Sequence, residues 1–171
     1  RIIGENHQVH HNYFQDLTGR GLGAALSVMA GLPNPQLTSH WQVKNANIHH
    51  NILLDCRESF SIGAGKNRDR YLSPRNTAFT DNIIATDHQA LYWVDDSAEV
   101  RFQGNLVYRA ADAQVLKNGF TIRKGRLKKA ASGLYQQGKK FPQPFWLKEH
   151  TGPFWKPGGT YCPSVLSTKP D

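Results

Sequence analysis

The sequence predicts an all-β fold, a right-handed parallel β-helix, and three observations lead to this prediction. First, one pattern of apolar residue, two variable residues, Asn, any residue and apolar residue recurs as VHHNYF at 9–14, IHHNIL at 48–53, FTDNII at 79–84 and FQGNLV at 102–107. Second, the Asn-to-Asn spacing shrinks from 39 to 31 to 23 residues. Helical repeats keep a fixed length, whereas a coil of short strands takes insertions in its turns. Third, each segment is short, rich in β-branched or aromatic residues, and bounded by Gly, Asn or Asp, which is typical of strands.

Further short apolar runs lie between the repeats and predict about two strands per turn: ALSVM at 25–29, FSIG at 60–63 and LYWV at 91–94. One rung cannot bury its apolar face alone, so rungs stack. The recurrent Asn is predicted to point inward at a bend and to hydrogen-bond to the Asn of the next rung. The alternative is an antiparallel sandwich with Asn-containing turns, although Asn118-Gly119 is the single Asn-Gly pair and Asp-Gly does not occur.

The chain is predicted to divide near residue 116. Residues 1–116 form the rungs, and residues 117–171 form an irregular, basic, Pro- and aromatic-rich C-terminal extension that packs on the β-helix. Eight Lys and Arg residues fall within 117–140, and the near duplicates PFWLK and PFWKP stand at 144–148 and 153–157. Such a tail covers exposed strand edges. The alternative is that its rings line a sugar site.

The net charge of the chain restricts the classes of binding partner that are expected. The 171 residues carry 21 Lys and Arg against 13 Asp and Glu, a formal net charge of +8, which favours a polyanion such as nucleic acid, an anionic membrane surface or an acidic polysaccharide. The alternative is a basic surface that is merely solvated. The sequence has no zinc-finger, helix-turn-helix or RNA-recognition pattern, so no nucleic-acid partner is expected. The longest weakly polar run, 22–32, is too short to span a membrane.

Four stretches carry a family resemblance: RIIGENHQVHHNYFQDLTG at 1–19, AALSVMAG at 24–31, VKNANIHHN at 43–51 and FSIGAG at 60–65. Together they resemble polysaccharide lyase family 6, which contains alginate lyases and chondroitinase B. The residues of these stretches are more similar to those of the alginate lyases. The resemblance covers about residues 1–110 and, more weakly, the tail around 146–149. It implies a parallel β-helix that cleaves an acidic polysaccharide by β-elimination and is secreted or periplasmic in a bacterium.

The resemblance also implies Ca²⁺ held by Asn and paired Glu residues, a Lys base and an Arg acid. In the family these residues lie upstream of the rung that begins this chain, and this sequence has four glutamates and no Glu-x-Glu. We therefore expect the C-terminal portion of a lyase, with no catalytic residue or metal ligand of its own and inactive alone. Its expected partners are alginate and either the missing N-terminal part of the same enzyme or further copies of the chain. The alternatives are a non-catalytic carbohydrate-binding or structural β-helix, and a lyase acting on chondroitin or dermatan sulfate.

The candidate substrate-binding residues follow partly from alternation along a strand. If Ile2, Val28 and Ile62 point inward, their preceding neighbours point outward in one column. The resemblance places Arg1, the neighbour of Ile2, in the substrate cleft, where its guanidinium can hold a carboxylate. It also implies a basic sugar-contacting loop at 65–71, for which the alternative is a solvated loop with an Arg–Asp69 pair. The candidates are Arg1, Ser27, Ser61, Arg68, Arg70 and His40.

Two histidine pairs, His10-His11 and His49-His50, look like metal ligands. They recur beside the repeated Asn, where alternation predicts one imidazole inside and one outside. We therefore interpret them as structural or surface histidines rather than as a metal site.

Overall fold

The computed structural model describes residues 1–19, 24–114, 116, 118–125, 127–129 and 135–136. The regular elements in this part of the chain are all strands. They are β1 (Gln8–His10), β2 (Tyr13–Gln15), β3 (Leu26–Met29), β4 (Asn47–His49), β5 (Ile52–Leu54), β6 (Glu58–Ala64), β7 (Thr77–Thr80), β8 (Ile83–Ala85), β9 (Gln89–Val94), β10 (Val100–Gln103), β11 (Asn105–Tyr108), β12 (Phe120–Arg123), β13 (Lys128–Lys129) and β14 (Tyr135–Gln136).

The strands stack into three parallel sheets that run side by side along the molecule. Sheet A has the order β3-β6-β9, sheet B the order β1-β4-β7-β10, and sheet C the order β12-β11-β8-β5-β2. Every ladder in these sheets is parallel, whereas β13 and β14 pair antiparallel. Successive turns visit sheets B, C and A in the same sequence. The predicted all-β parallel β-helix is confirmed.

Each full turn contains three strands, so the prediction of about two per turn is wrong. Every Asn-centred segment is two strands that meet at a bend, one in sheet B and one in sheet C. The residue before the Asn takes a positive φ in all four segments: 56° at His11, 55° at His50, 54° at Asp81 and 66° at Gly104. Gly104 adopts a positive φ without strain, and His and Asp are among the residues enriched there. The bend predicted at each recurrent Asn is therefore found in all four segments.

The four asparagines form the predicted ladder inside the bend. The Nδ2 of Asn12 donates to Asn51 Oδ1 at 3.0 Å, Asn51 Nδ2 donates to Asn82 Oδ1 at 3.0 Å, and Asn82 Nδ2 donates to Asn105 Oδ1 at 2.9 Å. The same Oδ1 atoms also accept the backbone N–H of the preceding Asn at 3.1 Å. The ladder therefore satisfies backbone groups that the bend removes from the sheets.

The core is a continuous stack of apolar side chains enclosed by the three sheets. Ile2, Val28 and Ile62 are buried in it. Four phenylalanines, one from each of β6, β7, β10 and β12, continue the stack with ring centroids 4.7, 5.6 and 5.0 Å apart. Neighbouring rings in this stack belong to different strands, so burial of their apolar surface couples the rungs from which they come.

The C-terminal part is described only in short pieces. Strand β12 still pairs in parallel with β11, so the stack continues to Arg123. The aromatic segments at 144–157 lie outside the described residues, and the division at residue 116 stays a prediction. Within the described part of the chain, no helix is long and apolar enough to cross a membrane.

Candidate functional site

The outer face of sheet A carries the predicted column of side chains. A parallel bridge pairs Ile2 with Val28, and Val28 pairs with Ile62. These three side chains are buried in the core, so the preceding residues Arg1, Ser27 and Ser61 point to the other face. The register continues from Ser61 to Trp93. At the rung spacing of about 4.8 Å, the column is about 14 Å long.

The two serines of the column differ from Arg1 in their access to solvent. Arg1 is exposed, whereas Ser27 is only 1% exposed and its hydroxyl donates to the Ala24 carbonyl oxygen at 3.4 Å. Ser61 is 6% exposed but lines an open pocket on this face. The structure therefore places Arg1 and Ser61 where a ligand can approach, and keeps Ser27 beneath the surface. Substrate contact by any of the six residues stays a prediction.

Arg1, the first member of this column, and Arg70 both act electrostatically on His40, which places these three side chains near one another. The 31–41 and 65–72 loops are joined by an antiparallel bridge between Gly31 and Leu72, and the Leu32 N–H donates to the His40 carbonyl oxygen at 2.9 Å. Burial lowers the pKa of His40 below its ordinary value of 6.5, and the positive charges of Arg70 and Arg1 lower it further. Three residues from separate segments thus form a cluster, here called the basic cluster, that suits a bound anion.

The loop 65–71 holds Arg70 in place. Its Nε donates to the Gly65 carbonyl oxygen at 2.9 Å, and its backbone N–H donates to Asn67 Oδ1 at 2.8 Å. Gly65 has a φ of 72°, and a Cβ there would lie 2.7 Å from an Arg70 guanidinium nitrogen. The close approach of the guanidinium therefore requires glycine. Arg68 lies on the same loop and is exposed.

Lys66, on the same loop as Arg70, is anchored by hydrogen bonds to two buried residues. Its Nζ lies 2.7 Å from Asp95 Oδ1 and 3.3 Å from Ser73 Oγ, and Ser73 Oγ donates to Asp95 Oδ2 at 2.6 Å. Burial alone would raise the pKa of Asp95, but the hydrogen bonds from Lys66, Ser73 and the Ser97 backbone lower it below 3.8. The anchored carboxylate fixes the direction of the Lys66 ammonium.

Sequence reasoning missed the aromatic side of this face. An open pocket of about 490 Å³ is lined by Ser61, Ala64, Gly65, Lys66, Gln89, Tyr92 and Trp93. A signal for it exists in the run LYWV at 91–94. Two adjacent bulky aromatics between two aliphatic residues cannot alternate in and out with all the apolar residues buried.

The four histidines flanking the Asn ladder lie together on the outside. The rings of His10 and His49 stack with centroids 4.9 Å apart, and those of His11 and His50 stack at 5.2 Å. None of the four is in the core, so the expectation of one imidazole inside each pair is wrong. The positive φ before each Asn turns both side chains outward. Among the described residues, no group of three or more His, Cys, Asp or Glu is arranged to hold a metal ion.

Comparison with known proteins identifies the class of this β-helix. The family model of chondroitinase B matches residues 1–144. The chain therefore belongs to the chondroitinase B family, and the resemblance to polysaccharide lyase family 6 is confirmed. No curated protein matches the chain significantly.

Two similar solved structures are of one enzyme, the PL6 family alginate lyase AlyGC. Its structure is 26% identical with a TM-score of 0.73, and that of an arginine-to-alanine mutant is 27% identical with a TM-score of 0.74. The matches cover 94% and 96% of this chain but only 23% and 24% of the AlyGC chains. The chain thus spans about a quarter of the length of these structures.

Proposed function

We propose that this chain is the C-terminal part of a polysaccharide lyase that cleaves alginate by β-elimination. The observation that carries the proposal is the basic cluster of Arg1, His40 and Arg70 on the outer face of sheet A, in a chain that belongs to a lyase family. The two similar structures, both of one alginate lyase, support alginate as the substrate. The net charge of +8 agrees with a polyanionic sugar chain.

In this proposal the chain binds and orients the polymer. β-Elimination removes the proton on C5 of a uronate, breaks the bond between C4 and the glycosidic oxygen, forms a C4–C5 double bond and protonates the leaving oxygen. The base and the acid for these steps belong to the upstream part of the enzyme. Arg1 and Arg70 pair with carboxylates of the bound sugars, and the nearby His40 gains a proton as an anion docks. The enzyme is proposed to be secreted or periplasmic.

The Ca²⁺ implied by the family would neutralise the uronate carboxylate when bound. The described residues do not fit such a site, because none of their acidic and imidazole groups form a suitable cluster. We therefore place its ligands outside these residues and assign no step in this chain to the metal.

A second substrate, dermatan or chondroitin sulfate, is favoured by the family model, whose name is chondroitinase B. The same basic cluster would hold a sulfated uronate polymer. The two substrates are separated by experiment.

The test uses the full-length protein that carries this sequence. Alginate, dermatan sulfate, chondroitin sulfate and a neutral glucan are each added, and formation of the unsaturated uronate is followed by ultraviolet absorbance, with Ca²⁺ and with a chelator. We expect product from alginate alone and a rate lowered at least about tenfold in the Arg70→Gln variant, which loses a charged hydrogen bond of about 1.5–3 kcal/mol. Absence of product from every uronate polymer in the presence of Ca²⁺ would refute the lyase, leaving a carbohydrate-binding β-helix. Product from dermatan sulfate alone would reassign the substrate.

A further inference from the structure

A β-bulge on the outer face of sheet A presents two aromatic side chains side by side. Phe60 pairs with Leu91, but the next residue, Ser61, pairs with Trp93. Tyr92 is therefore the extra residue of a bulge in β9. Leu91 and Val94 pack against the core, so the two residues between them both face outward.

These two residues, here called the aromatic shelf, are unusually open for their size. Tyr92 is 51% exposed and Trp93 is 54% exposed. Indole and phenol rings on a strand are normally covered by a neighbouring layer, because each buries a large apolar area. An exposed pair at the edge of a pocket is typical of a binding surface.

The pocket beside the shelf carries polar groups suited to a sugar ring. Its volume of about 490 Å³ lies in the range for small ligands. Ser61 supplies a hydroxyl, Gln89 an amide and Lys66 an ammonium. The Lys66 side chain is 31% exposed and engages Asp95 and Ser73, which leaves one of its three donors for a ligand.

The shelf is continuous with the basic cluster. Gly65 lines the pocket, and its carbonyl oxygen accepts the hydrogen bond from Arg70 Nε. Arg70 and Arg1 in turn both interact electrostatically with His40. A polymer lying along this face thus meets cations and aromatic rings in succession.

We propose that Tyr92 and Trp93 form a stacking subsite for one uronate unit of an acidic polysaccharide. The C–H face of the pyranose lies on the indole, its hydroxyls meet Gln89 and Ser61, and its carboxylate meets the ammonium of Lys66. A ring with a carboxylate fits better than a neutral hexose because the pocket has an anchored cation at one side and an apolar platform at the other. This inference rests on the proposed function for the identity of the polymer.

Binding of oligosaccharides to the full-length protein tests this subsite. A uronate tetrasaccharide prepared from alginate is titrated by calorimetry and by tryptophan fluorescence under conditions in which cleavage is negligible. We expect Trp93→Ala to raise Kd about tenfold, Trp93→Phe to recover most of the affinity, and Lys66→Gln to weaken the uronate tetrasaccharide but not a neutral one. Ile122→Ala, which removes a 45% exposed apolar side chain from β12 in sheet C, should bind as the unaltered protein does.

The outcomes separate this inference from the proposed function. If alginate is cleaved and Trp93→Ala binds the tetrasaccharide with unchanged Kd, the shelf is not a subsite and the lyase stands. If no polymer is cleaved but Trp93→Ala still loses affinity, the subsite stands and the lyase falls. If the unaltered protein binds no uronate oligosaccharide, the subsite is refuted. Thermal unfolding of each variant confirms that it is folded.

Discussion

At the scale of single residues, the candidate site depends on side chains held in place by buried partners. Asp95 is 5% exposed and anchors Lys66 at the edge of the pocket. Gly63 allows this approach, since it has a φ of 77° and a Cβ there would lie 2.4 Å from the Asp95 Cβ. The Lys66 ammonium at the edge of the pocket is therefore positioned by a buried carboxylate.

Replacement of Asp95 by Asn should destabilise the protein in a pH-dependent way. The Lys66 side chain is partly exposed, so we expect a loss of about 1–3 kcal/mol in the free energy of unfolding at neutral pH. The folded-state pKa of Asp95 lies below 3.8. Its stabilisation is thus present above the unfolded pKa and disappears as the pH falls through the folded pKa. Urea unfolding of the full-length protein at about pH 7 and about pH 3 measures this.

The matched control for Asp95→Asn is the same substitution at the neighbouring Asp96, which is exposed. Asp96→Asn should change the free energy of unfolding by less than about 0.5 kcal/mol. A loss for Asp95→Asn that is equally large at both pH values would contradict a role for the charged carboxylate. Such a result would point to packing around Gly63 instead.

At the scale of elements, two asparagine ladders that differ in burial hold two different bends of each turn: the bend between sheets B and C, and the bend at which the chain enters sheet B. The predicted ladder, which includes Asn82, is buried from Asn51 to Asn105. A second ladder, formed by Asn6, Asn45 and Asn76, lies on the exposed side where the chain enters sheet B, with amide contacts of 3.1 and 2.8 Å. Both ladders join an amide Nδ2 to the amide Oδ1 of a neighbouring rung, so comparing them tests how burial affects this contact.

Asn82→Ala should cost about 2–4 kcal/mol of stability, because Asn51 and the Ile48 carbonyl oxygen lose their partners inside the protein. Asn45→Gly should cost less than about 1 kcal/mol, since water replaces the lost contacts and Gly tolerates the φ of 55°. Chemical unfolding of the full-length variants gives both values. Equal losses at the two positions would show that burial of the amide does not govern the strength of the ladder.

The sequence alone predicts the buried ladder because its Asn recurs between apolar residues, and a buried amide needs a partner in the next rung. The second ladder repeats the same intervals of 39 and 31 residues, yet Asn is common in exposed turns, so its recurrence alone does not single it out. The bulge in β9 was not predictable either, since alternation would place Tyr92 and Trp93 on opposite faces. Tertiary packing determines whether a bulge forms, and here it depends on Leu91 and Val94 both fitting into the core.

At the scale of the whole molecule, the sequence predicts the three residues of the basic cluster but not that they lie close together. Alternation predicts that Arg1 points outward, whereas the proximity of the loops that carry His40 and Arg70 depends on the bridge between Gly31 and Leu72. Loop lengths between rungs vary, so the register of two loops cannot be read from the chain. The fold was predictable because the same pattern of strands and Asn recurs in every rung. The candidate site was only partly predictable because its arrangement of residues occurs once in the chain.

The net charge of +8 should act on the rate of binding rather than on the bound state. Changing Lys128, Lys129, Lys139 and Lys140 together to Gln lowers the formal charge to 21 − 4 − 13 = +4. We expect the association rate constant for an alginate oligosaccharide to fall several-fold at low salt, with an unchanged dissociation rate constant, because charges that make no direct contact still steer the encounter.

Arg70→Gln is the comparison for this charge effect, since it removes a single charge within the basic cluster. It should mainly raise the dissociation rate constant, because a direct contact with a carboxylate is lost. Stopped-flow fluorescence of the full-length proteins at low salt and at about 0.5 M salt, where the Debye length is below about 5 Å, resolves the two effects. If the four-lysine variant also dissociates faster, and does so at high salt, those lysines contact the bound polymer and their effect is not limited to steering.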